Sequence, residues 1–176
     1  MSGGAVLDLF NRFVDGLVAI VRLVCIVLAT ALFVIVIAAI VARYGFGQAV
    51  SWTEEVPRYL LIWVSFLAAA VCVLKREHVG FELLFDALPP RPKRALAIFI
   101  GLLILGFGWV VFRYGIVFVQ DFGSDLMETI PYTNYWCYPA MPVSGFLTMV
   151  FALKLIVDAI QNREIEAPTT NIPTVE

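Results

Sequence analysis

Residues 23–42 read LVCIVLATALFVIVIAAIVA, twenty positions without a charged side chain, closed by Arg43-Tyr44-Gly45. At ~1.5 Å per residue a helix of this length reaches ~30 Å, the thickness of the hydrocarbon core of a bilayer. The stretch does not read as a removed leader. It lacks a basic region ahead of it, and Ala29-Thr30-Ala31 is followed by more apolar sequence through Ala42. It reads as a span that stays in the membrane.

Upstream, Val6, Phe10, Phe13, Val14, Leu17, Val18 and Val21 recur at helical spacing, with Asp8, Asn11, Arg12 and Asp15 on the other face. This pattern predicts an amphipathic helix lying at the membrane surface, apolar side down. Downstream, three further apolar stretches predict spans at about 56–74, 95–119 and 140–160. The segment 79–88 reads as a short interfacial helix. Pro89-Pro90-Arg91-Pro92-Lys93-Arg94 reads as a stiff basic turn, because proline blocks helix continuation. The expected fold is an all-α integral membrane protein: four transmembrane helices in one domain, 1–160, preceded by an interfacial amphipathic helix. The polar tail, 161–176, reads as disordered and cytoplasmic.

Composition agrees. The chain of 176 residues is 61% hydrophobic and 15% charged, against roughly 45–50% and 25% for a soluble domain. No basic block is present to bind nucleic acid. Cys25, Cys72 and Cys137 stand singly, which argues against a dithiol or thiolate metal centre, and His78 is the only histidine, too few for a bis-histidine haem. No cofactor or metal is expected, and no nucleophile–base pair marks an enzyme.

Orientation follows from the basic residues. With the N-terminus inside, nine of the twelve fall on the cytoplasmic side: Arg12, Arg22, Lys75, Arg76, Arg91, Lys93, Arg94, Lys154 and Arg163. Only Arg43, Arg58 and Arg113 lie towards the outside, so both termini are expected in the cytoplasm. The centres of the spans hold no carboxylate pair and no broken helix, the usual marks of an ion-coupled pathway. The chain looks like a bundle that supports something else.

Three groups of residues stand out. Ser51-x-x-Glu54 matches a capping box at the start of the second span, and Glu54 and Arg58 are spaced to pair. Trp52 is expected at headgroup depth, and Glu55 and Arg43 are expected to meet a partner subunit or a membrane phospholipid. Gly101, Gly108 and Gly115 recur every seven residues in the third span and predict one close-packing face, expected to hold a partner. Asp121, Asp125 and Glu128 lie on a loop with no lysine or arginine, a negative rim suited to steering a soluble protein onto the outer surface.

The ordered set of motifs resembles the small membrane subunit of tripartite ATP-independent periplasmic (TRAP) transporters. It comprises Arg43-Tyr44, Trp52-Thr53-Glu54-Glu55, Arg58-Tyr59, Trp63, Phe66, Arg76-Glu77-His78, the basic turn before the third span, and Ile130-Pro131 with Pro139-x-x-Pro142. The similarity covers roughly 23–153; Pro57 and Ala68 depart from the usual pattern. The resemblance implies a scaffold in the bacterial inner membrane, within a sodium-driven importer of organic acids. It further implies a separate large membrane subunit that carries substrate and sodium, and a periplasmic substrate-binding protein that delivers the substrate. The alternative is a small exporter that oligomerises with itself.

Overall fold

The computed structural model describes residues 2–47, 51–75 and 90–161. Four long helices make up most of it: α1 (Ser2–Gly45), α2 (Trp52–Lys75), α3 (Pro90–Phe122) and α4 (Ala140–Ile160). All four are long and apolar enough to cross a membrane.

The amphipathic segment is helical, as its spacing requires, but it is not a separate element. It forms the first part of α1 and runs unbroken into the span. No proline interrupts it, and its single internal glycine, Gly16, is tolerated within a helix. Its apolar face has found protein. Val14 and Val21 are buried in a cluster with Leu67, Ala70 and Val71 of α2 and Leu147 and Phe151 of α4, and Phe10, Leu17 and Val18 pack around it. Burying a valine or phenylalanine side chain contributes about 1.5–3 kcal/mol where water is the alternative. That favours docking this face on the bundle over leaving it unpaired.

The basic turn is likewise absorbed: Pro90 to Arg94 form the opening of α3. The first helical turn has no intrahelical partner for its N–H groups, so proline costs little there. His78 and the segment 79–88 lie outside the described residues, as does the tail beyond Gln161.

Helix α4 is the hub. α3 packs along one side of it, α2 along another, and α1 packs on α2 while only touching α4. The α3–α4 seam is built from glycines. A Cβ on Gly101 would fall 2.6 Å from Cγ1 of Ile156, and one on Gly115 would fall 2.9 Å from the Pro142 nitrogen. One on Gly108 would lie 3.0 Å from Met149 Cγ and 3.2 Å from the Gly145 carbonyl oxygen. Gly145 answers from α4, where a Cβ would come within 2.5 Å of the Phe112 backbone nitrogen. The heptad of glycines therefore joins two helices of one chain and does not form a surface offered to another subunit. Close backbone approach of this kind is what binds helices where lipid removes the hydrophobic drive.

Candidate functional site: a buried carboxylate that holds the long loop

The connection from α3 to α4 is an ordered structure. Gly123 ends α3 by donating its N–H to the Val119 carbonyl at 2.9 Å. Met127 N donates to Tyr132 O at 2.9 Å and Asn134 N to Asp125 O at 3.0 Å, around an isolated antiparallel bridge between Leu126 and Thr133. A 3-10 turn, Asn134–Trp136, follows, and its Asn134 carbonyl accepts from Cys137 N and Tyr138 N. Tyr138 then packs edge-on to Phe118 of α3, ring centroids 4.8 Å apart.

One side chain from another helix fixes this loop. Glu55, in the first turn of α2, is only 3% exposed. Its Oε1 accepts from the Tyr59 hydroxyl at 2.6 Å and from Glu128 N at 2.8 Å. Its Oε2 accepts from Thr129 N at 2.8 Å and from the Thr129 hydroxyl. A carboxylate offers about four acceptor positions, and four donors fill them. Tyr59 is one helical turn from Glu55, so it shares that face of α2. A second long-range bond supports the same contact: the Trp63 indole N–H donates to the Trp136 carbonyl at 2.8 Å.

The expected pairing of Glu54 with Arg58 is replaced by another. Glu54 points across the hairpin to Arg43 at the end of α1. Arg43 closes a helix whose last carbonyls favour a cation, and it lies opposite the acidic first turn of α2, where carboxylates are favoured. The pair is about half exposed on both sides, and so contributes little stability. Arg58 is exposed and lines, with Arg43, Ser51, Glu54, Glu55 and Glu128, a shallow cavity of about 200 Å³.

The structure thus gathers Arg43, Glu54, Glu55, Arg58 and Glu128 at one end of the bundle, with Trp52 half exposed beside them. Asp121, expected on the loop, is exposed in the last turn of α3, which runs on to Phe122, while Asp125 is exposed on the same connection as Glu128. Glu55, expected at a partner or lipid interface, is instead enclosed, with no acceptor left for an ion or an outside donor. Gly101, Gly108 and Gly115 are at the other seam, inside the chain. Thr129 and Gly145 are positions that sequence reasoning passed over, and Tyr59 entered it only as part of the Arg58-Tyr59 motif, without a role. Tyr59 had a signal in its spacing from Glu55, and Gly145 is a glycine near the start of a span. Thr129 had none, because its partner is 74 positions away.

Four apolar helices whose polar groups are tied to each other at the ends define a multi-pass α-helical membrane protein. The family model for the DctQ component of tripartite ATP-independent periplasmic transporters matches residues 32–162, and the chain belongs to that family. It is a transporter component and not an enzyme.

Relatives fit this assignment. The chain is 28% identical over 144 residues to the sialic acid TRAP transporter permease protein SiaT of Haemophilus influenzae, covering 82% of this chain and 21% of that one. It is 38% identical over 69 residues to a TRAP transporter small permease protein of the same species, covering 39% of this chain and 43% of that one. The ectoine TRAP transporter small permease protein TeaB of Halomonas elongata is 22% identical over 136 residues, covering 76% of this chain and 70% of that one. The alignments span about a fifth of the first relative and less than half of the second.

Proposed function

We propose that this chain is the fixed scaffold subunit of a sodium-driven importer of organic acids in the bacterial inner membrane, with both termini in the cytoplasm. A separate large membrane subunit carries substrate and sodium, and a periplasmic binding protein delivers the substrate. The observation that carries this reading is the use of Glu55. The one enclosed carboxylate of the described chain is saturated by loop donors, so it organises structure where a coupled carrier would keep a carboxylate open to an ion. The homology to a fifth of a longer permease supports a partner of larger size.

Because the glycine seam is internal, the scaffold must meet its partner elsewhere. Apolar side chains remain exposed on α1, among them Ile26, Phe33 and Ile40, and on α3, among them Leu102, Phe107 and Trp109. These are the faces for the large subunit and for lipid. Arg43, Trp52 and Arg58 would meet headgroups at the rim.

The deciding experiment is co-expression with the large subunit and binding protein, followed by reconstitution. Uptake driven by a sodium gradient should require all three, and the chain should copurify with a much larger hydrophobic partner. Copurification with copies of itself, and substrate efflux by the chain alone, would establish the self-oligomerising exporter instead.

Two narrower results are expected. Single-cysteine labelling of sealed cells from outside should modify positions in 46–50 and 121–134 and spare 77–93; labelling of 77–93 would reverse the topology. The triple variant Asp121→Asn/Asp125→Asn/Glu128→Gln should raise the binding-protein concentration for half-maximal uptake, with little change in maximal rate. Steering by surface charge acts on encounter and is screened over about 8 Å at physiological ionic strength. The difference from the unsubstituted protein should therefore shrink as salt rises at fixed sodium. Equal titrations at low ionic strength would place the docking surface elsewhere.

A further inference from the structure

Two layers of charge bound the apolar length of the bundle. At one end Arg43 pairs with Glu54, beside Glu55. At the other, Asp15 pairs with Lys154, close to Arg22, Leu74 and Leu155. Along α2, Glu55 and Leu74 are nineteen residues apart, ~28 Å, close to the ~30 Å of a hydrocarbon core. Gly101 of α3 packs on Ile156, the neighbour of Leu155, and so lies level with the second layer. Arg113 is twelve residues further along α3, ~18 Å from that layer. It is also nine residues, ~14 Å, short of Phe122, where α3 ends. Arg113 therefore stands inside the apolar zone, away from both layers.

Arg113 is exposed, and among the described residues it has no ion pair or hydrogen bond. It lies on the edge of α3 turned away from α4. Phe99, Leu103, Gly106, Val110 and Arg113 follow at steps of four, three, four and three, the spacing of a helix–helix seam. Phe99, Leu103 and Val110 are exposed, and a Cβ on Gly106 would meet nothing within 4 Å. Because α3 packs on α4 at the end of the row α1–α2–α4–α3, no other described helix covers this edge.

We propose that this edge seats a helix of the large membrane subunit, and that the helix carries a carboxylate that pairs with Arg113. A cation in the apolar zone is disfavoured against lipid tails, and such residues pair inside protein. Headgroup phosphates match Arg113 poorly, because the Cα–Cβ bond of a helical residue leans towards the helix N-terminus. For α3 that is the end where Arg94 meets the Ile160 carbonyl, so Arg113 leans away from the nearer surface. A second copy of the chain fits no better. Among the described residues every carboxylate lies in or beyond the two charge layers, and none is level with Arg113. The occupant is then a different chain, apolar along the seam, with one acid at this depth. Gly106 leaves a notch where its backbone can come close, the contact that associates helices in lipid. The inference rests on the scaffold reading, which supplies the large subunit, and adds which edge meets it and through what chemistry.

The test co-expresses the chain with the large subunit, with photoreactive benzoylphenylalanine in place of Leu103 or Val110. Light should join both positions to the large subunit. Arg113→Gln should lower the amount of large subunit recovered with the chain by roughly tenfold, the loss expected of one charged, hydrogen-bonded pair. Arg113→Lys should retain most of it, and Gly106→Leu, which fills the notch, should lower recovery as well. Neither Arg113→Gln nor Gly106→Leu should lower the melting temperature of the chain alone, which separates a contact with the partner from a role in the fold. Recovery of the large subunit at the unsubstituted level with Arg113→Gln would overturn the proposal. So would a large subunit that copurifies without crosslinking at either position, or light-induced dimers of the chain; in each case the scaffold reading would stand. Loss of a bound phospholipid from Arg113→Gln in native mass spectrometry, with the large subunit retained, would assign Arg113 to a headgroup instead. Failure of the unsubstituted chain to copurify with any large subunit would overturn the scaffold reading and this inference with it.

Discussion

Gly145→Ala is expected to cost more than about 3 kcal/mol, and Gly145→Leu to prevent accumulation of the folded chain. Overpacking a well-filled interior typically costs about 1–3 kcal/mol when side chains can yield. Here they cannot. The added carbon would meet backbone atoms of Phe112 at 2.5 and 2.9 Å and the Gly108 carbonyl oxygen at 3.0 Å, so whole helices must separate. Since α4 also carries α2, the damage reaches beyond one seam. The matched control is Gly106→Ala, on the same pair of helices but with open space at its Cβ. There alanine should be neutral or stabilising by up to about 1 kcal/mol, through its better helix propensity. Thermal unfolding in detergent reads both. A Gly145→Ala protein that melts with the unsubstituted one would show that α3 and α4 are not held at this distance.

The second large effect concerns the loop. Glu55→Gln removes the charge and leaves an amide whose NH2 group faces donors, so at least one of Glu128 N, Thr129 N, the Thr129 hydroxyl and the Tyr59 hydroxyl loses its acceptor. An enclosed donor without a partner is costly, and hydrogen bonds to a charged group are about twice as strong as neutral ones. Amide exchange at Glu128 and Thr129 should accelerate roughly tenfold or more, with proteolysis newly admitted between 123 and 139. Glu54→Gln, which only breaks an exposed pair with Arg43, should leave both readouts unchanged. In reconstituted transporter, Glu55→Gln should lower assembly or uptake without changing the sodium dependence. A changed sodium coupling ratio would instead put this carboxylate in an ion pathway. Unchanged amide exchange would remove Glu55 as the anchor of the loop.

The spans were legible because lipid imposes a simple rule: about twenty predominantly apolar residues make a crossing. The stretch 23–42 carries no charge at all, and 56–74, 95–119 and 140–160 carry theirs towards their ends, at Arg58, Arg113, Lys154 and Asp158. Packing partners were less legible. The seven-residue spacing of Gly101, Gly108 and Gly115 revealed a close-packing face, yet periodicity on one helix cannot say which helix fills it. The answer lay in Gly145 and Pro142, whose spacing carries no matching repeat. The amphipathic run before Arg22 gave its helix and its apolar face correctly. Whether such a face meets lipid headgroups or protein depends on what α2 and α4 place beside it. At the candidate site, Glu54 was read locally, as cap and i,i+4 pair, and Glu55 was assigned to a partner subunit or lipid. The actual partners, Arg43 and the 128–129 backbone, come from across a hairpin and from a loop some seventy positions on. Local spacing reports what a helix can offer, and only the tertiary arrangement decides which offer is taken.

The position of α4 as hub has a consequence for how the chain is made. Ribosomes deliver α1, α2 and α3 into the bilayer first, and α1 can pair with α2 at once. Among the described residues, α3 has almost nothing to pair with until the last helix emerges, because its packing is with α4 and the turn that leads into it. During that interval Gly101, Gly108 and Gly115 stand open as a bare backbone groove towards lipid. Synthesis that stalls before Ala140 therefore leaves a nascent chain with an unfilled groove, the sort of surface that membrane chaperones shield and quality-control proteases extract. Maturation becomes a single late event, gated by insertion of the final helix, and a pulse-chase measurement should show protease resistance appearing for α3 and α4 together.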